Sequence, residues 1–303
     1  WHFNNFTIQI CREKSSLLMS GMVEKRGISY WLTHVGLSSG VLVLFFPLWL
    51  AFVASTVTNE EVIHPPMPLW PGDQFLENYS RALIEGDSGQ TSASVARMLF
   101  NTTIVATCIA VGKIAISFTS AFAIVFFRFP ARNIFFWLIF LTLMLPVEVR
   151  ILPTYEVVAS FGLLNTYSGL IFPLIASATA TFLFRQFFMT VPDEIVEAAR
   201  IDGAKPMRFF IDILIPISRT NIAALFIIMF IYGWNQFLWP LLMTTDPSMN
   251  TVIMGVEQMI GGQDDVTPWP VVMAASIMAM LPPIIVVISM QKLFIRGLTD
   301  REK

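Results

Sequence analysis

Charged residues are scarce in this sequence. Asp, Glu, Lys and Arg make up 13% of its 303 residues, whereas they make up about 25% of an average soluble domain. The formal net charge is −2, so the chain lacks the excess of positive charge that is typical of nucleic-acid-binding domains. Hydrophobic residues account for 55% of the chain. These proportions exclude a soluble enzyme, a disordered chain and a nucleic-acid-binding protein, and they favour a membrane protein.

Cysteine and histidine are also rare, with two and three residues. Cys11 and Cys108 offer neither a disulfide pattern nor a metal-binding spacing, and the histidines are scattered, so we expect no metal site. The Gly-x-Ser-x-Gly pattern at 36–40 lies in an apolar stretch and favours helix packing over a nucleophile elbow. The residues around Lys113 lack the pattern of a nucleotide-binding loop. The sequence therefore predicts neither enzymatic activity nor a cofactor bound by this chain.

Long stretches without charge provide segments that can cross a bilayer. A membrane-spanning helix needs about 20 mostly apolar residues. The sequence predicts an all-α membrane protein with six transmembrane helices, at 32–54, 101–126, 133–152, 168–188, 221–243 and 271–291. The third segment carries Glu148 and Arg150 near its end. A short helix is expected near 75–85, in the largest loop.

The distribution of Lys and Arg predicts the orientation, because short cytoplasmic loops carry an excess of these residues. With the N-terminus inside the cell, fifteen of the 19 basic residues lie in cytoplasmic segments. Arg81, Arg97 and Arg150 lie outside, and Lys113 lies within a span. Both termini are therefore expected in the cytoplasm.

The chain is expected to form one transmembrane domain. Residues 22–303 contain every predicted span, and the loops are too short for a separate catalytic domain. Residues 1–21 form a mixed polar stretch. We interpret this stretch as an N-terminal extension.

The predicted cytoplasmic segment 190–216 has the features of a helix pair. Thr190 and Asp193 resemble a capping box at the start of the first helix. Gly203 can adopt the left-handed conformation that ends a helix, and Pro206 suits the first turn of the next one. The sequence therefore predicts two short helices joined at Gly203.

Side chains of this segment suggest contact with a partner, although a helix pair could also lie on the bilayer surface. Ala198 and Ala199 form a small surface that a partner's backbone can approach. Phe209 and Phe210 would be costly to leave in water. We interpret the segment as a docking surface for a cytoplasmic partner.

The spacing of these residues resembles the EAA loop of ABC importer membrane subunits. The sequence has Glu-Ala-Ala at 197–199, Gly203 after three further residues, and a closing Pro216, with Ile215 where the family has Leu. In that family the loop forms the coupling helix, which sits in a cleft of the ATPase subunit. The resemblance implies ATPase-coupling roles for Glu197, Ala198, Ala199, Asp202, Gly203, Phe209, Phe210 and Pro216.

The resemblance extends over 22–303 and is closest to the maltose-permease-like (type I) branch. The stretches that carry it are 120–130, 142–150, 177–188 and 231–240. Within this branch the sequence is most similar to membrane subunits that import sn-glycerol-3-phosphate or related glycerophosphodiesters by alternating access. An importer of a sugar or oligosaccharide such as maltose is the alternative.

The family resemblance also implies a set of partners in the bacterial inner membrane. These are a homologous second permease subunit that completes a heterodimer, two ATPase subunits that bind ATP and Mg, and a periplasmic substrate-binding protein. An ion-coupled secondary transporter is an alternative of another class. Such transporters usually show inverted repeats, and no clear repeat is present in this sequence.

Six residues within the predicted spans are candidates for the substrate path: Lys113, Glu148, Arg150, Trp234, Asn235 and Gln236. Lys113 lies where a charge is costly, and it could contact substrate, snorkel or pair with a carboxylate of the partner subunit. Glu148 and Arg150 could gate the path, contact the binding protein or form a local salt bridge. The three residues of the fifth span could instead form hydrogen bonds between helices.

Overall fold

A computed structural model describes residues 28–85, 93–142, 147–260 and 267–299, and these residues form helices without strands. The chain divides into two units after Leu50. The helices are α1 (Ile28–Ala54), α2 (Asn59–Ile63), α3 (Phe75–Ile84), α4 (Val95–Phe126), α5 (Arg132–Leu141), α6 (Val147–Ser160), α7 (Tyr167–Ile171), α8 (Ala178–Phe188), α9 (Asp193–Ile201), α10 (Pro206–Ile217), α11 (Arg219–Trp234), α12 (Leu238–Met243), α13 (Val252–Ile260) and α14 (Trp269–Thr299). The N-terminal extension proposed for 1–21 lies outside the described residues.

Three helices in the described part of the chain are long and apolar enough to cross a membrane, namely α1, α4 and α14. They coincide with the first, second and sixth predicted spans. Two further spans exist only if bent helix pairs are counted as one: α7 with α8, bent by 47°, and α10 with α11, bent by 74°. By this criterion the described residues contain three spans, or up to five, rather than six. The short helix expected near 75–85 is α3.

The third predicted span, 133–152, corresponds to two helices rather than one. Helix α5 ends at Leu141, and α6 begins at Val147. The sequence between them includes Pro146. Residues 143–146 lie outside the described part of the chain.

The fifth predicted span, 221–243, is also interrupted. Helix α11 ends at Trp234, and α12 begins at Leu238. Pro240 lies in the first turn of α12, where its missing N–H costs no helical hydrogen bond. The break therefore places the polar residues Asn235 and Gln236 in a non-helical segment.

Small residues allow the helices of the second unit to approach one another closely. Ala106 and Ala110 of α4 are fully buried. A Cβ added to Gly233 of α11 would lie 3.0 Å from the Cα of Ala106. Such contacts are typical of helices in lipid, where the apolar surroundings provide little hydrophobic driving force. Helices α8 and α11 pack against α4, and α14 packs against α11.

A buried asparagine joins α4 to the loop that precedes α13. The Asn101 side-chain amide donates to the carbonyl oxygens of Ser248 and Asn250, at 2.9 and 3.0 Å. Its Oδ1 accepts a hydrogen bond from the Tyr167 hydroxyl at 2.6 Å. All hydrogen-bonding groups of this buried side-chain amide thus have partners, as buried polar groups generally require.

Candidate functional site

The first helix of segment 190–216, α9, begins at Asp193. The prediction that Thr190 caps it is wrong, because the Thr190 hydroxyl donates to the carbonyl oxygen of Phe187 and so belongs to the end of α8. Pro192 occupies the N-cap position of α9. Asp193 and Glu194 lie in the first turn, where negative charge interacts favourably with the helix dipole.

Gly203 ends this helix as the sequence predicts. Its φ is +74°, and its N–H donates to the carbonyl oxygen of Arg200 at 3.0 Å. The N–H of Ala204 donates to the carbonyl oxygen of Ala199 at 2.9 Å. These two bonds form a Schellman motif. Helix α10 then begins at Pro206, also as predicted.

The outer surface of this helix pair carries most of the residues that the family pattern singles out. Glu197, Ala198, Asp202 and Gly203 are exposed, whereas Ala199 is buried. Ile201 is 86% exposed. Pro216 is exposed in the last turn of α10, next to the 74° bend into α11. The pair therefore presents a mixed surface, on which exposed apolar side chains such as Ile201, Met207 and Ile211 lie among polar ones.

The two phenylalanines of α10 pack against other residues of this chain. From the sequence they were predicted to be covered by a partner protein. Phe209 is 7% exposed, and its ring centroid lies 5.3 Å from that of Phe126. The Phe210 ring lies 4.8 Å from Phe122 and 5.3 Å from Phe118. These contacts attach α10 to α4.

A π-helical segment, Phe209–Leu214, explains which side chains of α10 are buried. In a π-helix the repeat is wider than in an α-helix, so residues five apart share a face. Phe209 and Leu214 are the buried residues of this segment. A search for α-helical periodicity does not detect this spacing.

Lys113 lies in the middle of α4 and is 5% exposed. Its Nζ lies 3.5 Å from the centroid of the Tyr232 ring on α11. No carboxylate among the described side chains lies within ion-pair distance of it.

The Tyr232 ring compensates only part of the cost of this buried charge. A lysine at the centre of a membrane helix costs roughly 2.5–3.5 kcal/mol on insertion scales, while a cation–π contact contributes about 0.5–2 kcal/mol. Sequence reasoning missed Tyr232, because nothing in a single sequence shows that positions 113 and 232 are neighbours.

The other candidates for the substrate path differ in their surroundings. Trp234 is buried and donates from Nε1 to the carbonyl oxygen of Ala279 on α14 at 3.1 Å, which is a hydrogen bond between helices. The Gln236 amide donates to the carbonyl oxygen of Tyr232 at 3.0 Å. Asn235 is exposed. Glu148 belongs to α6, but its side chain lies outside the described part of the structure.

The described residues contain no group of three His, Cys, Asp or Glu side chains that could hold a metal ion. The features that remain are an exposed helix pair and a buried cation near a helix break. Neither resembles a catalytic centre, because no nucleophile is paired with a base.

The fold is that of an ABC transporter. A solved structure of a bacterial ABC transporter involved in the import of the acidic polysaccharide alginate matches this chain with a TM-score of 0.77. The match covers 89% of this chain and 98% of the other, at 21% sequence identity. At that identity the likeness establishes the fold alone.

Residues 113–300 match the family described as the inner membrane component of binding-protein-dependent transport systems, and the chain belongs to this family. It is 59% identical to the sn-glycerol-3-phosphate transport system permease protein UgpE of Rhizobium meliloti (strain 1021), over 93% of this chain and all of that protein. UgpE proteins of Agrobacterium fabrum and Salmonella typhi are each 56% identical with the same coverage. The chain is thus a membrane transport component and not an enzyme, as the sequence predicts.

Proposed function

We propose that this chain is a membrane-spanning subunit of an ATP-driven importer of sn-glycerol-3-phosphate or related glycerophosphodiesters. The 59% identity to a permease of that system, over the relative's full length, is the observation that carries the proposal. The buried Lys113, which has no partner among the described carboxylates, suits an anionic cargo. A sugar or oligosaccharide such as maltose is the alternative cargo. Ion coupling is disfavoured by the family.

The helix pair α9–α10 is proposed as the coupling element. Its exposed residues Glu197, Ala198, Asp202 and Gly203 would enter a cleft of the ATPase subunit. The buried residues Ala199 and Phe209, with the partly buried Phe210, would hold the pair against the rest of the chain. Pro216 would transmit movement across the bend into α11.

The proposed assembly contains a homologous second permease subunit, two ATPase subunits and a periplasmic substrate-binding protein. ATP and Mg would bind to the ATPase subunits and not to this chain. We propose six spans with both termini in the cytoplasm. The fourth and fifth spans would then each contain a helix break, in the pairs α7–α8 and α11–α12.

The substrate path is proposed to pass the break between α11 and α12. Asn235 and Gln236 lie within this break. Tyr232, one turn earlier on α11, contacts Lys113 of α4. Non-helical backbone at membrane depth is tolerated where it is buried in protein or lines a water-filled cavity. Arg150 and Glu148 on α6 would act near the outer end of the path, whereas Trp234 would support helix packing.

Uptake by the reconstituted complex tests this function. Proteoliposomes that contain both permeases and the ATPases should accumulate sn-glycerol-3-phosphate when ATP and the loaded binding protein are supplied. Uptake of maltose instead, or uptake driven by an ion gradient without ATP, would contradict the proposal. Gly203→Ala should reduce ATPase co-purification and uptake together, while Arg81→Gln, which changes an exposed arginine of α3, should leave both unchanged.

A further inference from the structure

We infer that Lys113 and Tyr232 form the site that receives the phosphate group of the cargo, and that the Tyr232 ring holds the Lys113 ammonium group while this site is empty. The inference rests on the proposed function, because it requires a cargo with a phosphate group. It adds Tyr232 to the substrate path and gives the two side chains distinct roles.

The packing of α4 against α11 fixes the position of the ring. Gly233, next to Tyr232, lies so close to Ala106 that an added Cβ would be 3.0 Å from the Ala106 Cα. The Tyr232 carbonyl oxygen also accepts a hydrogen bond from Gln236. The backbone that carries the ring is therefore held on both sides, and the ring faces an ammonium group that has four rotatable side-chain bonds.

The charges around this pair favour an anion. Lys113 carries a positive charge, and no described carboxylate forms an ion pair with it. A phosphate monoester carries a charge between −1.5 and −2 at about pH 7. The neutral ring attracts the ammonium group only through its quadrupole, so a phosphate oxygen is the stronger partner. An arriving phosphate would therefore draw Lys113 away from the ring.

Tyr232 can also contribute directly. Its hydroxyl forms no hydrogen bond within the described part of the chain, so it is free to donate to a phosphate oxygen. A charge-assisted hydrogen bond of this kind is stronger than one between neutral groups. A neutral sugar would form no ion pair with Lys113 and only an ordinary hydrogen bond with Tyr232. The two side chains would therefore select for anionic cargo.

Uptake of two cargoes by matched variants tests this inference. The complete complex would be reconstituted with saturating loaded binding protein, and initial rates would be compared for sn-glycerol-3-phosphate and a monoanionic glycerophosphodiester. Lys113→Met should lower uptake of the monoester at least about tenfold, as expected for the loss of a charge-assisted hydrogen bond, and lower diester uptake less. Lys113→Arg should restore most activity. Tyr232→Phe should have a smaller effect than Tyr232→Leu.

Tyr155→Leu provides the matched control, because Tyr155 packs against the same apolar cluster as Tyr232 but faces no cation. Its ratio of monoester to diester uptake should equal that of the unmodified protein. Failure of the unmodified complex to transport either cargo would refute the proposed function itself. If that complex is active, unchanged rates in Lys113→Met, or equal losses for both cargoes, would overturn this inference. Loss of the second permease from the Lys113→Met complex would assign Lys113 to a carboxylate of that subunit instead.

Discussion

Replacing Gly203 should weaken coupling to the ATPase through backbone strain alone. The residue has φ of +74°, and no atom lies within 4 Å of a Cβ placed on it. A substitution therefore meets no steric obstacle, and its cost comes from the left-handed conformation. Alanine in this region costs roughly 1–2 kcal/mol, while asparagine adopts it more readily.

The expected loss of ATPase affinity follows from the population of the native turn at Gly203. A penalty of 1–2 kcal/mol changes an equilibrium by a factor of about 5–30. If the ATPase recognises α9 and α10 only in the observed arrangement, Gly203→Ala should weaken its binding by up to this factor. Gly203→Asn should retain most of the affinity, since asparagine is the usual substitute for glycine at this position of a Schellman motif.

Titration of purified ATPase subunit against the reconstituted permease pair measures this affinity, and ATP hydrolysis stimulated by loaded binding protein reports the coupling. Thermal unfolding serves as a control, because the rest of the chain should be unaffected. Equal ATPase affinity for the Gly203→Ala and Gly203→Asn variants would refute the reasoning, since both place a Cβ in the same open space.

Three further changes should affect stability in distinct ways. Phe118→Ala should destabilise the protein by about 3–5 kcal/mol in thermal unfolding, because this ring is buried among phenylalanines, whereas Phe161→Ala, at a site that is 73% exposed, should change little. Asn101→Ala should cost about 1–3 kcal/mol for each buried group left unpaired, and equal melting temperatures would contradict this. The Ser248 backbone N–H holds the pKa of the Asp246 carboxyl below its usual value. Protection of the Ser248 amide against hydrogen exchange should therefore be constant above about pH 4 and be lost as the pH falls through the lowered pKa, and Asp246→Asn should remove this pH dependence.

The coupling segment shows how far local sequence rules extend. Gly203 favours the left-handed conformation that ends a helix, and Pro206 favours the first turn of one. The end of α9 and the start of α10 were therefore predicted correctly. Thr190 was assigned to the wrong helix, because a threonine hydroxyl can bond to a preceding carbonyl as readily as it caps a following helix. Phe209 and Phe210 were interpreted without knowledge of α4, which covers them.

The helix breaks show where hydropathy is insufficient. Apolar residues on both sides of a break produce one continuous hydrophobic segment, so 221–243 was predicted as a single helix. A proline can interrupt a helix, but its presence in the sequence does not determine whether the helix bends or ends there. Neighbouring helices that satisfy the freed backbone groups decide between these outcomes.

The sequence by itself determined that this chain lies in a membrane, and the spacing of its EAA-like segment indicated its family. Both conclusions depend on composition and on residues close together in the chain. Only the tertiary structure showed that Lys113 rests on Tyr232 and that Phe209 packs on Phe126. These contacts join distant positions through helix packing, and a single sequence does not specify which faces of its helices meet.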